Sequence, residues 1–269
     1  MKQMTTRRKL AIATWSAPAE GNIYGKLTVD VAEALRFLDW VRETTGEKVT
    51  VTHFVGRALA EAFKEMPGLN GRIFLGTYIP HDTIDVSFLV ALEEGADLAK
   101  AKVRNLDKKK VSEVAAELRE LATKLHNGQD DDFNKAKPLI KALPTWVLRP
   151  ILWLTGWLSS AAGMNIKALG VSPYAFGSAI VTSVGMLGVD EAYVPPTPFA
   201  RVPCYVLLGA IRDMPAVVDG EITIQKQLIL TTTLDHRFVD GFQAGILGKK
   251  MRELFQNPWV LEGLDGPPA

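Results

Sequence analysis

The chain is short of the residues that staple, charge or metallate a protein. One cysteine, Cys204, in 269 residues cannot form an internal disulfide, so a reducing, cytoplasmic setting is expected. It lies in the apolar run "VPCYVLLG", where a buried, inert thiol is expected rather than a nucleophile. An excess of one charge is also missing. With 31 Lys and Arg against 30 Asp and Glu, the net charge is +1, and a nucleic-acid partner would require a strong basic bias. The four histidines are scattered and there is no second cysteine, so no metal is expected. The G-x-S-x-G elbow of serine hydrolases is absent, because "FGSAI" lacks the second glycine. Phosphate-loop and dinucleotide fingerprints are absent too, since "VGMLGVD" has neither a G-x-G start nor Gly-Lys-Ser/Thr. The apolar stretch Leu10 to Ala13 is too short for the core of a secretion signal.

What is present is ordinary globular material. Hydrophobic residues make up 47% and charged residues 23%, at a length that buries a core without staples. "NIYGKLTVDVAEALRFLDWVRETTG" predicts a strand and then a helix with Ala34, Leu35, Leu38 and Val41 on one face, ended at Thr45-Gly46. "TVTHFVGRALAEAFKEMPGLN" predicts a buried helix lined by Phe54, Val55, Ala58, Leu59 and Phe63, with His53 capping or packing in its first turn. A strand is predicted at "TIDVSFLVAL". After it come a solvated turn at "DKKK" and a helix over "SEVAAELRELATKLHNG", with Ser112 as its N-cap and Asn127-Gly128 as its stop. Strands follow at "GSAIVTSVG", "CYVLLGAI", "EITIQ" and "QLILTTTLDH", with Val218-Asp219-Gly220 as a hairpin turn. A last helix runs from Gly241 to about Phe255 and stops at Asn257-Pro258. The pattern is α/β or α+β with a mixed sheet, in one domain without a clear boundary.

One segment stands apart. "ALPTWVLRPILWLTGWLSSAAG", residues 142–163, holds three of the six tryptophans and one charge, Arg149. Its length approaches the roughly 20 residues of a membrane span, but Pro144, Pro150, Gly156 and Arg149 argue against one. A broken helix packed on the protein or on a neighbouring subunit is expected. A membrane-touching interfacial helix and a lid over substrate stay open as alternatives.

The chemistry concentrates in "TLDHRFVDGFQAG", residues 233–245, where His236 stands four residues before Asp240 and Gly241. A metal site and a hydrolase triad are excluded by the absences above. What remains is a general base at a strand end, followed by a sharp Asp-Gly turn into a helix.

"DHRFVDG" is similar to the His-x-x-x-Asp-Gly signature of the acyltransferase subunits of 2-oxoacid dehydrogenase complexes and of chloramphenicol acetyltransferase. The surroundings carry the resemblance further. "AIVTSVGMLGVD" resembles the family's strand-turn with a hydroxyl residue before Gly-x-x-Gly, and "VRNLDKKKVSEVAAELRELATKLHNG" resembles its Arg-Asn-x-Asp segment and helix. "THFVGRALAEAFKEMPGLN" resembles the helix ending in Pro-x-Leu-Asn, and "LDHRFVDGFQAGILGKKMRELFQNP" the closing strand and helix. These blocks keep the family's order over most of the chain. The resemblance implies a chloramphenicol acetyltransferase-like two-layer sandwich with a mixed β-sheet, assembled as a homotrimer with active sites between subunits. The domain would be a single acyltransferase catalytic domain over residues 1–269, with a Trp-rich insertion at about 138–172.

The resemblance also implies roles. His236 would take the proton from a thiol of coenzyme A or of a dihydrolipoyl-like carrier, and the thiolate would attack an acyl thioester. Thr182 would donate to the tetrahedral oxyanion from a neighbouring subunit; the family more often shows serine there, and Ser183 is adjacent. Asp240 would hold the turn and orient the site, and Gly241 would permit the turn. Asn70 and Asn105 match family positions and are taken as structural. Coenzyme A would be a substrate.

Three departures from the family qualify these expectations. No lipoyl domain and no subunit-binding domain is expected ahead of the catalytic region, so a lipoyl group is not expected on this chain and a carrier would act in trans. The Trp-rich segment replaces a short Gly-rich connection, and the polar tail "NPWVLEGLDGPPA" suggests an isolated trimer rather than a cage. "EEGADLAKAKVRN" differs from the family's more apolar run at that place, which leaves the coenzyme A contacts open. A non-catalytic trimeric scaffold subunit of a dehydrogenase-like complex is the alternative.

Overall fold

The protein's structure, a computed structural model, describes residue 6 and residues 21–92, 97–167 and 170–268. The secretion reading at Leu10 to Ala13, and part of the "EEGADLAKAKVRN" run, fall outside these residues.

Strand β1 (Asn22–Asp30) leads directly into helix α1 (Ala32–Thr45), which ends on Gly46 in the left-handed conformation. Helix α2 (Val51–Glu65) follows, then a short hairpin of β2 (Gly71–Phe74) and β3 (Thr77–Pro80), then the antiparallel pair β4 (Val86–Leu92) and β5 (Asp97–Val103). Helices α3 (Val111–His126), α4 (Asp131–Ala142) and α5 (Thr145–Gly156) come next, and α5 runs on into a π-helical turn, Trp157–Ala161. The chain closes with β6 (Ala179–Ser183), β7 (Cys204–Val218), β8 (Glu221–Asp235) and α6 (Gly241–Gln256).

Six strands form one mixed sheet in the order β1-β8-β7-β6-β4-β5, with β4, β6 and β7 mutually parallel and the other pairs antiparallel. Helices α1, α2, α3 and α6 cover one face. Their apolar stripes meet Val29, Val86, Phe88, Val181, Val206, Leu208, Leu228 and Leu230 of the sheet in the main core. Aromatic edges lock this layer: Phe37 meets Trp259 at 5.4 Å and Phe54 meets Phe255 at 4.9 Å. On the opposite face, irregular chain packs Ala200 and Val202 on Ile180 and Tyr205. The result is a helix layer on a sheet layer, as expected for a two-layer sandwich.

Several local expectations change. "EITIQ" and "QLILTTTLDH" are one strand, β8, because its pairing with β7 continues across Gln225, Lys226 and Gln227. The Asp219-Gly220 turn has both residues at positive φ, 51° and 87°, as a two-residue hairpin turn requires. Ser112 is not the N-cap of α3. That position is Lys110, whose backbone N–H donates to Glu113 Oε2 at 2.8 Å. "DKKK" is a turn as expected: it begins in a short 3₁₀ element, Leu106–Lys108, exposes Lys108 and Lys110, and pairs Lys109 with Glu117.

The Trp-rich segment is helical throughout α5. Pro150 sits inside that helix, and the break comes before it at Pro144. One face of α5, Leu148 and Leu152, closes against Phe133, Ala136 and Ile140 of α4 as a small separate core. Among the described residues no helix is long and apolar enough to cross a membrane.

Two partly buried histidines tie stability to pH. His53 Nδ1 accepts from the Thr50 N–H at 3.1 Å in the capping box of α2, and burial pushes its pKa down to about 4. His81 meets the Tyr174 ring at 4.8 Å with the two planes tilted by 60°, and it is likewise pushed down to about 4, first by burial and then by Arg72. Each is neutral in the fold and takes a proton more readily once unfolded. Their contribution is therefore complete above about pH 6.5, the ordinary histidine value, and is lost as pH falls toward 4. Urea midpoints should fall between pH 7 and pH 4, and the double variant His53→Gln/His81→Gln should flatten that fall. An acid slope unchanged in the double variant would show that other groups set it.

Candidate active site

His236 follows the last residue of β8. Its backbone N–H donates to the Gly21 carbonyl at 3.3 Å, which ties the strand end to the start of β1. The next residues form a tight turn. The Phe238 N–H donates to the Asp235 carbonyl at 3.0 Å, and the Arg237 guanidinium closes on the Asp235 carboxylate at 2.6 Å. Phe238 rests edge-on against Tyr78 at 6.3 Å, and the Tyr78 hydroxyl donates to the Pro67 carbonyl at 2.5 Å. The β2–β3 hairpin thus buttresses the turn, and the His236 side chain is left exposed at the surface of the chain.

Asp240 is the N-cap of α6. Its Oδ1 accepts from the Phe242 and Gln243 N–H groups at 3.0 and 3.1 Å, while Gln243 Oε1 accepts from the Asp240 N–H at 2.8 Å. Both arms of a capping box are made, so this carboxylate is engaged by backbone and helix dipole. Gly241 is not what makes the turn possible. It is the first helical residue, is absent from the positive-φ glycines, and a Cβ there would meet nothing within 4 Å. Gln243 and the Asp235–Arg237 pair went unread in the sequence. "DGFQ" carries the N-cap-x-x-Gln pattern that would have found the first.

Thr182 lies near the end of β6, half-buried. It shares the loop-covered face with Ile180, because Ala179 and Val181 turn toward the helices. The chain beyond it is pressed onto β7: the Val184 N–H donates to the Leu208 carbonyl at 3.0 Å, and the Ala210 N–H to the Val189 carbonyl at 2.9 Å. Gly209 makes this approach possible, since a Cβ there would fall 1.9 Å from the Asp190 carbonyl oxygen. Ser183 Oγ accepts from the Gly185 N–H at 3.4 Å, so the adjacent hydroxyl serves the turn.

Sheet register shows which of these residues the chain itself brings together. Thr182 pairs with Leu207, and Leu207 with Thr231, two strands away. His236 lies five residues further along β8. At about 3.4 Å per residue and about 4.8 Å per strand, Thr182 and His236 of one chain stand on the order of 20 Å apart. His236 and Asp240 are brought together; Thr182 is not brought to them within one chain.

The remaining candidates resolve structurally. Asn70 accepts from Ser178 Oγ and donates to the His81 carbonyl at 3.2 Å, holding the 67–81 segment against the start of β6. Asn105 takes the left-handed conformation at φ 50°, and its N–H donates to Asp85 Oδ1 at 3.1 Å. Cys204 is fully buried and its thiol is pushed up to about 12, which removes it as a nucleophile. Among the described residues no group of three His, Cys, Asp or Glu side chains could hold a metal.

Comparison with known proteins agrees with this architecture. The A. vinelandii dihydrolipoamide acetyltransferase superposes with a TM-score of 0.66 at 20% identity, over 96% of this chain and 87% of that one. That structure addressed a serine, a histidine and an asparagine in the enzyme's catalytic mechanism, the last two four positions apart. Chloramphenicol acetyltransferase superposes at 0.50 with 13% identity, over 95% of this chain and 100% of that one. In sequence, the probable dihydrolipoyllysine-residue succinyltransferase of the Schizosaccharomyces pombe 2-oxoglutarate dehydrogenase complex is 23% identical over 234 residues. The chain spans only 42% of that relative's length, though 85% of its own residues align. The family model of the 2-oxoacid dehydrogenases acyltransferase catalytic domain matches residues 4–136 and 163–262, with 137–162 lying between the two stretches. The chain belongs to that acyltransferase catalytic-domain family.

Proposed function

We propose that the protein is an acyltransferase that moves an acyl group between coenzyme A and a thiol acceptor of the dihydrolipoyl type, with each active site shared by two subunits of a homotrimer. One observation carries this reading. In a member of this family, His236 is held on a doubly fixed turn with its side chain exposed, while the hydroxyl it needs, Thr182, is on the order of 20 Å away in the same chain. A neighbouring copy would supply the missing half. His236 and Asp240 keep the four-residue spacing of the histidine and asparagine in the A. vinelandii enzyme, with aspartate in place of asparagine.

The proposed step is balanced in protons and bonds. The His236 imidazole takes the proton of the attacking thiol, which at a pKa of about 8.5 is mostly protonated at neutral pH. The thiolate forms a new C–S bond at the thioester carbonyl, and the resulting oxyanion accepts a hydrogen bond from the Thr182 hydroxyl of a neighbouring subunit. Collapse breaks the old C–S bond, and the leaving thiolate recovers the proton from the imidazolium. Asp240 keeps the histidine turn and the start of α6 in register and carries no proton. The acceptor thiol would arrive on a lipoyl-bearing or similar carrier in trans.

A further feature supports assembly. Beyond β6 and β1, residues 211–226 of β7 and β8 continue as a two-stranded arm with no third strand among the described residues. It exposes Val217, Ile222 and Ile224 by 73, 81 and 80%. A bare two-stranded ribbon with such a surface is marginal alone and gains from a partner.

Acyl transfer from acetyl- and longer acyl-coenzyme A to dihydrolipoamide, other thiols, hydroxyls and amines tests the chemistry. His236→Ala should lower the rate about 10²–10⁴-fold, and Thr182→Ala about 10²–10³-fold. Mixed assemblies of the two variants should regain activity, because some interfaces pair an intact His236 with an intact Thr182. An intact trimer with no transfer in any pairing would instead support a non-catalytic scaffold subunit.

The arm gives a separate expectation. Ile222→Lys/Ile224→Lys should shift the protein toward monomer in sedimentation velocity, and activity should fall in parallel. Full activity from a monomer would overturn the shared site.

A further inference from the structure

Helix α5 carries two apolar stripes, and only one of them is needed to fold it. Leu148 and Leu152 close the small core shared with α4. At 3.6 residues per turn, Trp146, Pro150, Trp153 and Leu154 fall on the opposite side, with Arg149 at the rim of an arc about 140° wide. Trp146 is 77% exposed and Trp153 59%, and Leu154 is half exposed beside them. Two indoles so presented cost free energy in water and contribute nothing to the α4–α5 core. The stretch also lies in the interval between the two segments that match the family, so the family's shared pattern does not account for it.

Charge singles out what would cover this face. Residues 133–189 contain five Lys and Arg and no Asp or Glu, in a chain whose overall balance is +1. The acids that bound this stretch are residues 130–132, at the N-terminal end of α4 away from its junction with α5, and Asp190, beyond β6. Lys135, Lys137 and Lys141 line the exposed side of α4 while Ala136 and Ile140 turn inward. Indole rings suit the boundary between headgroups and acyl chains, and flanking cations suit phosphate-bearing headgroups. An ordinary protein surface has no reason to exclude acids over so long a stretch.

We propose that the α4–α5 hairpin docks the protein on an anionic lipid surface, with Trp146, Trp153 and Leu154 seated at the headgroup level and the lysines of α4 above the headgroups. The helix lies in the plane of the interface, since it is too short to cross. Docking would hold the acyltransferase at a membrane without touching His236 or Thr182, so it stands or falls apart from the proposed activity.

The test is co-sedimentation of the full chain with sucrose-loaded vesicles of phosphatidylcholine, alone or with one-third phosphatidylglycerol. Binding to the anionic vesicles, with a blue shift in tryptophan emission, and none to phosphatidylcholine alone is expected. Trp146→Ser/Trp153→Ser should weaken it about tenfold or more, and Lys135→Gln/Lys137→Gln about fivefold per charge. All these positions are exposed, and near-ultraviolet circular dichroism checks that the variants fold. No binding to either vesicle, or binding undiminished in the tryptophan variant, would overturn the proposal. So would equal binding to both vesicles, which would remove the role of charge. A lipid-free oligomer that dissociates in the tryptophan variant would likewise overturn it, making this face a contact between copies of the chain.

Discussion

The antiparallel pairing of β7 with β8 is the constraint on which the rest of the molecule depends. Each strand is fifteen residues long; the Asp219-Gly220 turn sets their register as far as Ile211–Leu228, and a bulge at Gly209 and Ala210 shifts it by one residue beyond that point. Strand β6 joins β7 over Cys204–Leu208, in the same half of the ladder where β8 closes at Asp235. Thr182 lies inside that half, level with Thr231, and the histidine that follows Asp235 lies just beyond its end. Shortening β8 by two residues would keep the same face buried but would carry His236 about 7 Å toward Thr182. The distance between the two groups is thus written into strand length, which a core of Leu228, Leu230 and Leu234 makes hard to alter.

Around that ladder the two faces of the sheet divide the labour. The helix face carries the packing: interlocked aromatics and the apolar stripes of four helices. The loop-covered face carries polar side chains that would be costly in that core. Thr231 donates to the Ala192 carbonyl, and Ser87 to the Phe176 carbonyl at 2.9 Å. Thr182 belongs to this second face, where a hydroxyl can be half-buried without disturbing the helices. The site turn at 236–240 is tied differently, by an ion pair, a capping box and an aromatic edge, each local to a few residues. Rigidity there is made by hydrogen bonds more than by burial, which leaves the imidazole accessible.

Much of this was legible in the sequence. The helix of Phe54, Val55, Ala58, Leu59 and Phe63 announces itself because its apolar spacing and its buried face coincide. The hairpin at Asp219-Gly220 is legible because two-residue turns admit few residue types. The short β2–β3 hairpin was not, since four-residue strands around Leu75-Gly76 leave too little alternation to detect. Strand β5, "DLAKAKV", hides behind Ala and Lys, which favour helices; its pairing with β4 decides it. Ser112 misled as a cap because serine is the commoner cap residue, while Glu113 reaching back to the Lys110 N–H fixes the start two residues earlier. In the candidate site, His236 and Asp240 are singled out by the resemblance of "DHRFVDG" to the family's His-x-x-x-Asp-Gly signature. The gap to Thr182 was not legible, because it arises from pairing across three strands.

Cys204 has a use that its inertness creates. It sits at the start of β7, fully buried, with its thiol pushed up to about 12, so alkylating reagents pass it by while the sheet is closed. It pairs with Ala179 on one side and Leu234 on the other, in a row that crosses all six strands of the sheet. The rate at which this single thiol becomes reactive is therefore a clock for whole-sheet opening, running silently in the unmodified protein. Any added surface cysteine would report its own neighbourhood against that quiet background.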